Sequence, residues 1–148
     1  MRIRTIVVVG VLASSAATPL LPAQAGPPKP FSKTMVFVDD TPDPSAYFLG
    51  PEHCLGQLPR EKPVPVTIPG PGVFDIAISG FTGEWSLLVA EPSGKIVATA
   101  DADAPKTEAT SIRFKKATKI EILPCNLAGT FEAKLVYSYK YKAVPAGL

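Results

Sequence analysis

A single histidine, His53, and only two cysteines, Cys54 and Cys125, stand in a chain of 148 residues. One imidazole with no second histidine and no CxxC pair cannot assemble the usual zinc site or a dithiol redox centre. No GxSxG elbow offers a nucleophilic serine, and His53 lies in a loop between Pro51 and Pro59, beside Cys54, a poor setting for a Ser-His-Asp triad. These scarcities predict a protein that is not an enzyme and takes no cofactor. No internal repeat is visible, and no stretch keeps helical periodicity over three turns.

A basic excess is also missing. The formal charge of +2 comes from Arg2 and Arg4 alone, and without them 13 basic residues face 13 acidic ones. Nucleic acid or an anionic membrane needs a clustered cationic surplus, so neither is an expected partner. The densest basic run, Arg113, Lys115, Lys116 and Lys119, alternates with Ile112, Phe114, Ala117 and Ile120. It reads as the solvated side of two strands and their turn.

Long hydrophobic runs are absent except at the N-terminus, where Ile6 to Ala17 follows the two arginines. Ala23-Gln24-Ala25 then precedes Gly26. A charged start, an apolar stretch of about a dozen residues and a small-x-small site describe a secretory signal peptide, too short for the roughly 20 residues that span a bilayer. Residues 1–25 are therefore expected to be removed, leaving a secreted, extracellular protein with no membrane attachment. About 123 residues remain, enough for one domain with a real core. Residues 26–33 form a Pro-rich lead-in expected to be disordered, 34–142 the folded domain, and 143–148 a frayed tail.

What the chain has in quantity is β-branched and aromatic residues in short alternating runs, punctuated by 17 prolines and 11 glycines. Strands are predicted at 34–38, 64–68, 73–79, 84–90, 96–100, 109–114, 119–123 and 130–141. Pro65 marks 64–68 as an edge strand. Glu91-Pro92-Ser93-Gly94-Lys95 reads as a hairpin turn with glycine in the left-handed position. About eight strands and no helix predict an all-β, single-domain antiparallel β-sandwich. Phe74, Ile76, Ile78 and Trp85 are expected in its core.

An even pair of cysteines in an exported chain is most economically one disulfide, Cys54 to Cys125. It would close about 72 residues and remove roughly 4 kcal/mol of unfolded-state entropy in the loop-closure model. Oxygen ligands cluster at Asp39, Asp40 and Asp43 and at Asp101 and Asp103; such loops read first as turn chemistry, with aspartates bonding their own backbone, and calcium is the alternative, placed at Asp101 and Asp103 if either loop binds it. On the last strand Phe131, Leu135 and Tyr137 are assigned to the core. Tyr139 and Tyr141, near its end, are the candidate exposed rings for a sugar or a protein.

The stretch from Gly80-Phe81-Thr82-Gly83-Glu84-Trp85-Ser86-Leu87-Leu88-Val89 through Pro92-Ser93-Gly94-Lys95 and Glu108 to Gly129-Thr130-Phe131 resembles the bacterial pre-peptidase C-terminal domain. The resemblance spans roughly Val64 to Tyr139. It implies a jelly-roll-like sandwich that accompanies secreted enzymes without being catalytic, and that in some members binds protein fibres, polysaccharide or calcium. The functional expectation is a monomeric binding or accessory module engaging an extracellular protein or polysaccharide. The alternative is a small inhibitor presenting a disulfide-pinned loop, Ser45 to Leu58, to a target enzyme.

Overall fold

The computed structural model of the chain describes residues 26–39, 42, 63–101 and 106–143. Residues 1–25, expected to be a signal peptide, residues 45–58 with His53 and Cys54, and Asp40, Asp43 and Asp103 lie outside the described residues, as do 144–148. Eight strands run in order: β1 Phe31–Val38, β2 Val64–Ile68, β3 Gly72–Ser79, β4 Gly83–Ala90, β5 Ile96–Ala100, β6 Thr107–Phe114, β7 Thr118–Gly129 and β8 Glu132–Tyr141. They form two four-stranded sheets, sheet I in the order β1-β8-β3-β6 and sheet II in the order β2-β7-β4-β5. Every pairing is antiparallel. Apart from the β4–β5 hairpin within sheet II, successive strands thus cross between sheets in the manner of two Greek keys, the eight-stranded jelly roll.

Alternation in the sequence creates this sandwich directly. In β3 every second residue is buried, and Phe74, Ile76 and Ile78 are at most 3% exposed. Their partners across the interior are Trp85, Leu87 and Val89 of β4 and Ile120 and Ile122 of β7, all in one hydrophobic core. β2 sits at the edge of sheet II, as Pro65 requires, because proline has no N–H to give a second neighbour. The β4–β5 hairpin closes as its sequence predicts. Glu91 O accepts the Gly94 N–H at 2.8 Å, and Gly94 has φ of +83°, a conformation costly for a residue with Cβ.

Several boundaries depart from the sequence reading, β6 starting at Thr107 and not at 109 among them. β1 begins at Phe31, three residues before the expected start, because Phe31 pairs with Tyr139 and stacks on its ring at 5.4 Å. Residues 31–33 therefore belong to the sheet and not to the Pro-rich lead-in. β7 continues past Leu123 to Gly129, since β4 pairs with it along the whole way. β8 starts at Glu132, because Thr130 is held in the preceding turn by its N–H donating to Thr82 O at 2.9 Å.

Candidate functional site

The outer face of sheet I is built from the residues that alternate with the core set. The strand register lines them up in rows: Ser32, Ser138, Asp75 and Ser111 cross all four strands, and beside them run Thr34, Val136, Ala77 and Ala109. Short side chains at the centre leave an open trough of about 460 Å³ between β6, β3 and β8. Ser111 Oγ donates to Asp75 Oδ1 at 2.7 Å across the strands. In register, Arg113 and Lys140 stand two residues beyond Ser111 and Ser138, and Lys134 stands at the other end, all exposed. The floor thus presents hydroxyls, methyl groups and one carboxylate between cationic ends. No aromatic residue occupies an outward register position of these strands.

The opposite outer face, that of sheet II, has another character. Along its centre Ser86, Leu88 and Ala90 of β4 meet Leu123, Cys125 and Leu127 of β7, and all six are buried. No described strand packs on them. Consecutive apolar residues such as Leu87-Leu88-Val89 carry the signal of burial on both sides of a strand, which a strict reading of alternation passes over. Cys125 is 4% exposed and is not a free thiol. Cys54 falls outside the described residues.

The candidate aromatic pair on β8 separates. Tyr139 is 0% exposed, whereas Tyr141 is 41% exposed. The correction has a clear cause: the early start of β1 lays Phe31 over Tyr139, and Gly72 leaves room for its ring, where a Cβ would stand 2.8 Å from the Tyr139 Cζ. The hydroxyl donates to Pro71 O at 2.9 Å, and burial, with the neighbouring Tyr141 phenol adding to it, holds its pKa above the ordinary value. Tyr139 is therefore a core residue and offers no flat surface to a ligand. Phe131, assigned to the core from sequence, is 55% exposed because it precedes β8 at the sandwich end.

At that same end, Asn126 is 1% exposed and ties three segments together. Its Nδ2 donates to Asp39 O at 3.1 Å and to Thr130 O at 3.2 Å, and its Oδ1 accepts the Gly129 N–H at 2.8 Å. Trp85 Nε1 donates to the same Thr130 O at 3.1 Å. The Asp39 carboxylate accepts the Asn126 N–H at 3.3 Å, so this aspartate serves the fold. Asp101 follows β5 at an exposed position, and its expected companion Asp103 is outside the described residues. Among the described residues no three His, Cys, Asp or Glu side chains gather to hold a metal ion. Nor is any helix among them long and apolar enough to cross a membrane.

Fold and surface together define an all-β jelly roll with one open outer face and one that is buried along its two central strands. No family model matches this chain, and no curated protein matches it.

Proposed function

We propose that this chain is a secreted, non-catalytic binding module that engages an extended segment of an extracellular protein along the outer face of sheet I. One observation carries the reading: the open trough of about 460 Å³ floored by Asp75, Ala77, Ala109 and Ser111. A shallow open strip of short side chains with a few polar groups leaves room for an extended segment to lie across the strands. Its hydroxyls and carboxylate suit a backbone with amides to pair, and its cationic ends suit acidic side chains. A polysaccharide is the weaker ligand, because sugar recognition by stacking needs a ring and the trough has none. The signal-like leader, the proposed Cys54–Cys125 bridge and the resemblance to the pre-peptidase C-terminal domain support an extracellular module of this kind.

The test is a capture experiment with the oxidised protein from Gly26 to Leu148, offered to secreted proteins, cell-wall fragments and insoluble polysaccharides, alongside Ala109→Trp. Capture of a secreted protein by the parent and its loss in Ala109→Trp, at unchanged stability, is the expected result. Retention on a polysaccharide, or capture unaffected by filling the trough, overturns the proposal.

A further inference from the structure

Sheet I has a second feature, at its β1 margin. β1 pairs with β8 on one side and with no described strand on the other. Asp39 N donates to Phe131 O at 2.8 Å, opposite it in register, which makes that pair and every second pair before it the hydrogen-bonded ones. The intervening residues, Ser32, Thr34, Val36 and Val38, must aim their N–H and C=O groups at the free edge. Two of these also carry exposed apolar side chains: Val36 is 63% and Val38 53% exposed. On the other side of the strand, Met35 and Phe37 border a groove of about 430 Å³ toward Pro63, Val64 and Pro65 of the neighbouring sheet edge. Natural edges are usually blunted by proline or charge, and β2 follows that rule through Pro65. Over Met35 to Val38, β1 does not.

The sequence of this edge says what covers it. From Lys33 to Asp39 it reads Lys-Thr-Met-Val-Phe-Val-Asp, apolar at the centre with opposite charges at its two ends. Laid antiparallel against itself and centred on Val36, it sets Lys33 opposite Asp39, Thr34 opposite Val38, Met35 opposite Phe37, and Val36 opposite its own copy. Shifting the centre to Met35, Thr34 or Lys33 puts Lys33 against Phe37, Met35 or a second Lys33. Among registers centred within Lys33 to Val36, only the Val36 one sets opposite charges face to face, and it leaves the Asn126 N–H bond to Asp39 in place. In that register Val36 with Val36 and Thr34 with Val38 form hydrogen-bonded pairs, using the backbone groups already aimed outward. Lys33 with Asp39 and Met35 with Phe37 then fall on non-hydrogen-bonded positions, where side chains approach more closely.

We infer that the protein forms a two-fold symmetric dimer by antiparallel pairing of β1 with β1 of a second copy, joining the two sheets I into one eight-stranded sheet. The interface is isologous, so it closes at two copies and does not propagate. It replaces the monomer expected from sequence, and it does not depend on what the trough binds. A consequence is a continuous outer face carrying two troughs, which would engage a repetitive partner with increased avidity.

Sedimentation of the Gly26-to-Leu148 protein over a concentration series tests this directly. A reversible monomer–dimer equilibrium is expected, weakened roughly tenfold or more by Val36→Lys or Val36→Pro without loss of the monomer's own thermal stability, measured at concentrations where it does not pair, since the Val36 N–H serves no bond to β8. Cysteine scanning fixes the register: Val36→Cys should cross-link with itself. Thr34→Cys and Val38→Cys should each stay uncross-linked alone and link when mixed, because a disulfide tolerates only short Cα separations. A monomer at every concentration into the millimolar range, or a dimer indifferent to Val36→Lys, overturns the inference. Self-linking by Thr34→Cys in place of Val36→Cys overturns the register. Ala109→Trp is the control, expected to abolish capture of a partner while leaving sedimentation unchanged.

Discussion

The two outer faces of this sandwich start from the same geometry and end differently. On sheet I, Asp75, Ala77, Ala109, Ser111 and Ser138 alternate with core residues and meet solvent. On sheet II, Ser86, Leu88, Ala90, Leu123, Cys125 and Leu127 occupy the equivalent outward positions of its two central strands and are buried. A jelly roll needs only the space between its sheets to be apolar. Leucines on the far side of sheet II therefore add stability beyond what the sandwich alone requires, and small polar residues on the far side of sheet I leave that surface available for binding. The centre of sheet II is thus buried on both sides, while sheet I combines one buried and one open face.

The largest effect that separates the faces is a charge placed on each. Leu88→Asp puts a carboxylate at a position that is 0% exposed, and should cost about 4 kcal/mol or more, a large part of the 5 to 15 typical of a whole domain. Ser111→Asp, outward on β6, should change stability by less than about 0.5 kcal/mol. Urea midpoints of the two variants measure the difference, and equal costs would break the distinction between the faces.

Much of this contrast was legible in the chain, and its limits have physical reasons. Strict alternation located β2 and β3 and the inward Phe74, Ile76 and Ile78, because one face of each sheet must be apolar, and the Pro92 to Lys95 turn located β5. Alternation says nothing about a strand buried on both sides, so the outward burial of Leu88 and Leu123 went unread although Leu87-Leu88-Val89 carries its mark. Tyr139 and Phe131 exchanged roles for a related reason. Position along a strand does not reveal where the neighbouring strand begins, and Phe31 extends β1 far enough to cover Tyr139. The trough was invisible because small residues have no periodic signature of their own. Its floor emerges only when register brings Asp75 beside Ser111 and Ser138.

Tyr139 sharpens the comparison at intermediate magnitude, since its hydroxyl is buried and satisfied. Tyr139→Phe removes the bond to Pro71 O and should cost about 1 kcal/mol at neutral pH. Its pKa is raised in the folded protein by burial first and by Tyr141 second. The unfolded phenol therefore ionises first. The stability this group contributes is complete below about pH 10, the ordinary phenol value, and is lost as pH climbs from there toward the folded pKa. Thermal melts between neutral and strongly alkaline pH should show a decline that is shallower in Tyr139→Phe. An identical decline in both proteins would assign the alkaline loss to other groups.

The smallest effect concerns the polar atom on the buried outer face. Ser86 is 0% exposed, stands opposite Cys125, and its Oγ has no hydrogen-bond partner. A hydroxyl removed from water and left unmatched costs about 1 to 3 kcal/mol, whereas an alanine methyl in the same place costs nothing comparable. Ser86→Ala should therefore leave stability unchanged or raise it by up to about 1 kcal/mol, the reverse of what truncating a bonded serine does. The same measurement on Asn126→Ala, which removes three side-chain hydrogen bonds to Asp39, Gly129 and Thr130, should show a clear loss. If Ser86→Ala instead weakens the fold by more than about 1 kcal/mol, the outer side of sheet II holds a bonded partner for that hydroxyl, and this face is polar at its centre as well as apolar at its flanks.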